Sequence, residues 1–288
     1  MALKTLSAKN AIALDKDLMT IGAFSIDQLM ELAGLSVSQA GESIQNSIDF
    51  PKADAISPVH RLHPLDKGKR VLVACGPGNN VAARHLWHYG YQPVIYYPKQ
   101  SKNELYQVRN LSTLQVSQIK LIDPQRLVTQ LKNLDVPFTE DFQSALKESH
   151  HVVDAIFGFS FSGEVREPFP SVIEALKATS LPVTSVDAPS SWDIEEGPPK
   201  SGPGKDFHPM ALVSLTAPKP LAKWFRGRHF LGGRWVAKLH LLILTGSALT
   251  QSQLRFLSPE IAKKYNLDLP EYNGIDQIVE LGPSGQKL

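Results

Sequence analysis

The chain has 288 residues, of which 42% are hydrophobic and 20% are charged, and these proportions are ordinary for a soluble globular protein. Its formal net charge of +2 gives no general reason to expect nucleic acid or a membrane surface as a partner. The single cysteine, Cys75, excludes an intrachain disulfide framework.

Residues 1–48 predict a helical N-terminal extension. Apolar residues repeat at helical spacing in two segments, and the second segment begins with Ser25 and has Gln28 three residues later, the pattern of a capping box. Asp15 and Asp17 stand in the first segment, which also lacks the apolar stretch of a secretory signal. We therefore expect an intracellular protein.

From residue 70 the pattern alternates between apolar runs of strand length and runs of helical character. The predicted strands are 70–76, 93–99, 119–123, 151–158, 182–190 and 210–219, and the predicted helices are 81–91, 104–116, 142–150 and 168–179. Strands that alternate with helices form a parallel sheet with helices on both faces. We predict a three-layer αβα Rossmann-like sandwich with a mostly parallel sheet, in one domain over 1–288 whose sheet core and site occupy 70–220.

Polar residues follow three of the predicted strands. The first strand runs into 76–80 (Gly-Pro-Gly-Asn-Asn), the fourth ends with Asp154 before 158–164, and the fifth ends with Asp187 before 189–193. Each feature alone has a structural explanation, as a tight turn, a helix cap or an Asx turn. Because ligands of open parallel sheets bind beyond the C-terminal strand ends, the joint pattern favours a binding crevice.

Several longer segments resemble one known family. They are "GPGNN", "VDAIFGFSFSGEVREPF", "SVDAPSSWDIEEG", "LTAPK", "HFLGGR" and "AKKYNLDLPEY", with "QLMELAGLSVSQA" near the start. Together these segments, which are spread over almost the whole chain, resemble the NAD(P)HX epimerase family, the N-terminal-domain class of YjeF proteins.

The resemblance implies an enzyme that interconverts the R and S epimers of hydrated NADH and NADPH, called NADHX and NADPHX. It also implies one potassium ion per subunit, a homodimer, and an NAD(P)HX dehydratase as functional partner. Neither nucleic acid nor a membrane is expected as a partner. The expected location is the cytoplasm, the mitochondrion or both.

The resemblance also assigns roles to individual residues. Asp187 matches the substrate-binding acid that serves as acid/base, a role that a positioned carboxylate can fill. The implied potassium ligands are Asn80, Asp154 and Ser190, whose oxygen atoms suit a hard cation. The implied substrate contacts, besides Asp187, are Asn79, Asn80, Gly158, Phe159, Ser160, Phe161, Ser162, Gly163 and Glu164.

Three features depart from the family pattern. The family continues its Asn-Asn loop with Gly-Gly-Asp-Gly, whereas Val81 follows Asn80 here, so we expect weaker ligand binding. Ser191 stands where the family has glycine, which matters if the backbone there has a positive φ or touches the ligand. Residues 235–255 form an apolar insertion. We hypothesise that the insertion and the shortened loop are gene-model artefacts, and a genuine surface loop is the alternative for the insertion.

Two other functions are weighed against the enzyme. A catalytically inactive binding or scaffold protein on the same fold is favoured by the shortened loop but gives no reason for Asp154, Asp187 and Ser190. An NAD-dependent dehydrogenase is disfavoured because no Gly-x-Gly-x-x-Gly follows the first strand and no clear ribose-binding acid follows about 20 residues later.

Overall fold

The computed structural model describes residues 4–49, 68–76, 81–99, 124–233, 259–267, 270, 272 and 276–282. The predicted elements at 104–116 and 119–123, the insertion at 235–255 and the residues Asn79 and Asn80 lie outside the described residues. Within these ranges, no helix is both long and apolar enough to cross a membrane.

The described chain folds around one eight-stranded sheet. The strands are β1 (Arg70–Cys75), β2 (Gln92–Tyr96), β3 (Phe138–Thr139), β4 (His151–Ala155), β5 (Val183–Val186), β6 (Ala211–Leu215), β7 (Arg228–Gly232) and β8 (Ile278–Leu281). Their spatial order is β3-β2-β1-β4-β5-β6-β7-β8. All neighbouring pairs are parallel except β7 and β8, so the expected mostly parallel α/β fold is confirmed.

Helices cover both faces of the sheet. They are α1 (Ala8–Thr20), α2 (Ile26–Asp49), α3 (Val81–His88), α4 (Pro124–Lys132), α5 (Phe142–Lys147), α6 (Phe169–Ala178) and α7 (Pro259–Lys264), together with a short 3-10 helix (Pro220–Lys223). Val71 and Val73 of β1 pack in one core with α2, α3 and α4. Leu72, which points the other way, packs in a second core with α5 and α6. This alternation along a strand produces the three layers.

The N-terminal helices are confirmed, and the capping box at the start of α2 forms as its spacing predicts. The Ser25 backbone N donates to Gln28 Oε1 at 2.8 Å, and the Gln28 backbone N donates to Ser25 Oγ at 3.2 Å. Helix α2 is more than an extension, because its residues Val37, Ala40 and Ile44 belong to the core on one face of the sheet. It therefore forms part of the outer layer.

The C-terminal end of β1 lies very close to the backbone that follows β4. The Gly76 backbone N donates to the Ala155 carbonyl at 2.9 Å. A Cβ added at Gly76 would lie 1.9 Å from the carbonyl oxygen of Ile156, a separation that no real Cβ contact has. Glycine is therefore required here by close backbone approach.

We expect Gly76→Ala to lower the free energy of unfolding by about 1–3 kcal/mol, the usual range for overpacking a core. Urea denaturation followed by circular dichroism measures this loss. Gly41→Ala is the matched control, because its new methyl carbon would lie 4.0 Å from Leu86 in ordinary contact, within helix α2. That control should be neutral or stabilising, and an equal loss in both variants would contradict the account of Gly76.

Candidate active site

The strand order reverses between β1 and β4. The chain runs from β1 outward to β2 and β3 on one side, then returns to β4 on the other side of β1. Ligands of open parallel sheets bind outside the C-terminal strand ends at such a reversal. Gly76, Ile156 and Asp187 follow β1, β4 and β5 at this edge. The predicted positions Asn79 and Asn80 belong to the segment after Gly76 that is outside the described residues.

Asp154 of β4 is completely buried and is tied to β5 and to the turn that follows it. Its Oδ2 atom accepts hydrogen bonds from Ser185 Oγ at 2.7 Å and from the Ser190 backbone N at 2.9 Å. Ser190 Oγ donates to Oδ1. Burial raises the pKa of Asp154, and these hydrogen bonds oppose the rise. The predicted pair Asp154 and Ser190 therefore meets directly.

The Asp154 carboxylate forms no ion pair with another described residue. The described groups that donate hydrogen bonds to it are hydroxyl and amide groups. An ionised carboxylate in such surroundings is stabilised by a bound cation. Within the described residues no three His, Cys, Asp or Glu side chains are grouped to hold a metal. One carboxylate with neighbouring hydroxyl oxygens fits a hard cation such as potassium.

Asp187 lies at the centre of a strained turn directly after β5. Its φ is +66°, and the Ala188 backbone N donates to the Val186 carbonyl at 2.7 Å, which is the bond pattern of a γ-turn. The neighbouring strand β6 ends in the same way, since Thr216 has a φ of +70° and Ala217 N donates to Leu215 O at 2.8 Å. Such strain is characteristic of functional sites.

Asp187 and Lys219 form a buried ion pair, in which their exposed fractions are 4% and 2%. Asp187 Oδ1 accepts from Lys219 Nζ at 2.6 Å and from the Leu215 backbone N at 3.0 Å. Lys219 Nζ also donates to the Leu215 carbonyl at 2.7 Å. No hydrogen bond from a described residue reaches Asp187 Oδ2. Contacts within the described residues thus hold one carboxylate oxygen, Oδ1.

The predicted substrate loop, residues 158–164, combines half-buried aromatic rings with exposed polar positions. Lys219 Nζ lies 5.5 Å from the Phe159 ring centroid, and Phe161 stacks on Phe157 with centroids 4.3 Å apart. The exposed residues of this loop are Ser160, Ser162, Gly163 and Glu164. A Cβ at Gly158 or Gly163 would meet nothing within 4 Å. The loop is therefore anchored beside Lys219 and has open space around its glycines.

Ser191 has the backbone conformation in which its side chain is unfavourable. Its φ is +76°, a left-handed conformation that disfavours residues with a Cβ. Its Oγ atom is buried and has no hydrogen-bond partner among the described residues, and a Cβ at Gly204 would lie 1.5 Å from that oxygen. The departure from glycine at this position therefore introduces strain.

Sequence reasoning missed two charged residues of this region, Lys219 and Asp15. Lys219 is the last residue of the "LTAPK" motif, and a lysine directly after a buried strand could have been singled out as a partner for Asp187. Asp15 stands between Ala11 and Leu18 on the buried face of α1, where a carboxylate is unexpected. The sequence therefore already showed a charged residue at the end of a predicted strand and another on the apolar face of a predicted helix.

The fold and the polar strand ends define an α/β domain with a cluster of polar and charged residues at the C-terminal edge of its sheet. The family model described as YjeF-related protein N-terminus matches residues 26–221. The crystal structure of the yeast protein ynu0 is 35% identical, covers 97% of this chain and 100% of that one, and superposes with a TM-score of 0.69. The chain belongs to the YjeF-related N-terminal family.

Curated relatives carry the name NAD(P)H-hydrate epimerase. The protein of Phaeosphaeria nodorum is 60% identical over 99% of this chain and 98% of its own length. The Neurospora crassa protein is 57% identical with full coverage of both chains, and the Schizosaccharomyces pombe protein is 46% identical over 98% and 97%. The alignment with the Neurospora crassa protein spans 293 positions, more than the 288 residues here, so it places gaps in this chain.

We expect Ser191→Gly to raise the free energy of unfolding by about 1 kcal/mol. The substitution removes a Cβ from a left-handed conformation and a hydroxyl that is buried without a partner, and the larger entropy of glycine in the unfolded chain offsets part of the gain. Urea denaturation measures the change. Ser180→Gly is the control, since Ser180 is exposed and has no positive φ, and it should lose stability. A loss in both variants would refute the strain at Ser191.

Lys219→Met should destabilise the fold by about 3–5 kcal/mol, because it leaves the Asp187 carboxylate buried without its partner. The double variant Lys219→Met with Asp187→Asn should lose less unfolding free energy than the sum of the losses in the two single variants, because no unpaired charge is then buried. Denaturant unfolding at pH 7 gives the four free energies. Strict additivity of the two changes would show that the pair is not energetically coupled.

Proposed function

We propose that this chain is an NAD(P)H-hydrate epimerase, which interconverts the R and S forms of hydrated NADH and NADPH. The proposal is supported by relatives of that name at 46–60% identity along nearly the whole chain. The structural observation that carries it is the buried Asp187 carboxylate, which is fixed by Lys219 through one oxygen at the crevice of the sheet.

The chemistry requires inversion of a carbon that bears a hydroxyl group and lies next to the ring nitrogen. Inversion can proceed by loss and return of hydroxide or by ring opening, and both routes need proton transfer at oxygen. The Lys219 ammonium and the Leu215 amide hold Asp187 Oδ1, so the carboxylate cannot rotate freely. Asp187 Oδ2 then exchanges the proton with the substrate oxygen.

The substrate loop binds the dinucleotide in this proposal. Open space around Gly158 and Gly163 lets backbone approach a ligand, and the exposed Ser160, Ser162 and Glu164 offer polar contacts. Phe159 lies over Lys219 and restricts water near the ion pair. Asn79 and Asn80 complete the ligand contacts proposed from the family resemblance.

Potassium is the proposed cofactor, with one ion per subunit. Asn80, Asp154 and Ser190 would hold it, and its charge would compensate the buried Asp154 carboxylate. The positive charge of the ion would stabilise the conformation of the turn after β5. Asp154 accepts hydrogen bonds from Ser190, which lies three residues beyond Asp187. Asp154 therefore fixes this turn and helps to position the acid/base.

Three further expectations stay proposals that rest on the family resemblance. The chain forms a homodimer, its product is used by an NAD(P)HX dehydratase, and it works in the cytoplasm, the mitochondrion or both. The scaffold alternative gains no support from relatives that are named as enzymes. Light scattering of the purified protein tests the dimer directly.

We expect the wild-type protein to convert R-NADHX into the mixture of epimers faster in potassium than in choline chloride, as followed by NMR. Asp187→Asn should reduce the rate by about 10²–10⁴, the range for loss of a general acid/base. The amide keeps the shape of the side chain but leaves Lys219 unpaired, so thermal unfolding is measured in parallel. A folded variant with wild-type turnover would place the chemistry elsewhere.

The matched control is Asp206→Asn, which removes a carboxylate at the opposite edge of the sheet. Asp206 is exposed, precedes β6 and has a φ of +62°, a conformation that asparagine adopts readily. It should keep the wild-type rate. If enzyme-free samples and the wild type epimerise equally fast, the chain is not an epimerase.

A further inference from the structure

Asp15 lies on the face of α1 that covers the active site. Its neighbours one turn away, Ala11 and Leu18, are buried and belong to a cluster that includes Ala217. Phe159 of the substrate loop packs against the same cluster. Ahead of α1, the Leu6 backbone N donates to the carbonyl of Pro218 at 2.8 Å, which fixes the start of the helix next to the segment that carries the active-site lysine.

The charges that act on the pKa of Asp15 are those of Lys219 and Asp187. Burial raises the pKa of Asp15 to about 7, the Lys219 ammonium partly opposes the rise, and the negative charge of Asp187 reinforces it. No ion pair or hydrogen bond joins Asp15 to another described residue. This half-buried carboxyl group is therefore coupled to Asp187 and Lys219 without being used in a structural contact within the described chain.

Other titratable groups around α1 have partners of their own. Glu195 Oε1 accepts from the Ala8 backbone N at the first turn, at 3.2 Å. Asp17 accepts from Lys264 Nζ at 2.6 Å and from Tyr265 Oη at 2.8 Å. These contacts anchor the helix on either side of Asp15, and Lys219 and Asp187 are the described charged groups that act on the pKa of its carboxyl group.

We propose that Asp15 is a second catalytic acid/base, which works together with Asp187 on the hydroxyl-bearing carbon of the substrate. The proposal rests on the epimerase function. Two carboxyl groups that share one site but have different environments are the arrangement that separates an acid from a base. Asp187 Oδ1 accepts from Lys219 Nζ at 2.6 Å, whereas the Lys219 ammonium acts on Asp15 without a hydrogen bond.

Two proton transfers, one from Asp15 and one to Asp187, accompany the inversion. The Asp15 carboxyl donates its proton to the substrate hydroxyl, the carbon–oxygen bond breaks with its electron pair going to oxygen, and water leaves. The ring nitrogen lone pair forms the carbon–nitrogen double bond. A water molecule then adds to the opposite face, its oxygen forms the new bond, and its proton passes to Asp187. The enzyme ends with Asp15 ionised and Asp187 protonated, the state required for the reverse direction.

Asp15→Asn tests the role, with Asp15→Glu as the conservative variant and Asp206→Asn as the control. We expect Asp15→Asn to lower kcat by about 10²–10⁴ while NADP affinity by calorimetry changes less than twofold. Asp15→Glu should recover at least a tenth of the wild-type rate. All rates are corrected for spontaneous epimerisation in enzyme-free samples.

The pH profile separates a catalytic from a structural role. Wild-type kcat should fall as the pH rises through about 7, because the Asp15 carboxyl group then loses the proton that it donates to the substrate. Asp15→Asn should lack this alkaline limb, and Asp15→Glu should keep one. The proposal is overturned if kcat of Asp15→Asn is within tenfold of the wild-type value and its pH profile is unchanged. It is also overturned if the loss of kcat is accompanied by an equal loss of NADP affinity.

Thermal unfolding provides a readout that does not depend on activity. A carboxyl group whose pKa is higher in the folded than in the unfolded chain adds stability below its unfolded pKa of about 4. This stability is lost as the pH rises to about 7. The melting temperature of the wild type should therefore fall relative to Asp15→Asn between pH 4.5 and about 7.5, and parallel curves would overturn the proposal.

Failure of this proposal is distinguishable from failure of the epimerase function. If the wild type and Asp206→Asn are both inactive, the function itself is wrong and the role of Asp15 falls with it. If both are active and Asp15→Asn matches them, only the role of Asp15 is wrong.

Discussion

The ion pair between Asp187 and Lys219 is almost completely buried, and the local structure is built to keep its two charges together. A buried charge without a partner is strongly unfavourable, so each residue of the pair requires the other. Lys219 also binds the Leu215 carbonyl, and Asp187 also binds the Leu215 amide. The ends of β5 and β6, both of which terminate in γ-turns, are therefore joined through the backbone of Leu215.

Three carboxyl groups near the C-terminal edge of the sheet have three different environments. Asp154 is fully buried and receives only neutral hydrogen-bond donors. Asp187 is nearly as buried but has an ammonium group at 2.6 Å. Asp15 is half-buried, and its pKa is raised to about 7 by burial and by Asp187. The fold thus provides one carboxyl group with neutral hydrogen-bond donors, one that is paired with an ammonium group and one whose pKa is raised to about 7.

Helix α1 and the substrate loop connect the site to the rest of the core. Phe159 packs against the cluster that holds Leu14 and Leu18 of α1 and against the cluster that holds Trp192 and Ala188. Its ring also lies above the Lys219 ammonium. The N-terminal helix therefore packs against the candidate active site and against the loop that is proposed to bind the dinucleotide.

The sequence by itself determined the parallel α/β architecture, the capping box at Ser25 and the polar strand ends, because periodicity and local hydrogen bonding are properties of neighbouring residues. It did not predict β7, β8 or α4. β7 and β8 are only five and four residues long and gain their stability from pairing with distant strands. The positive φ of Ser191 and the contact of Ser190 with Asp154 likewise depend on how β4 and β5 lie side by side.

Only the tertiary structure decided that Lys219 pairs with Asp187 and that Asp15 faces them. The charges of these residues interact through space between segments far apart in the chain, and no local pattern encodes that distance.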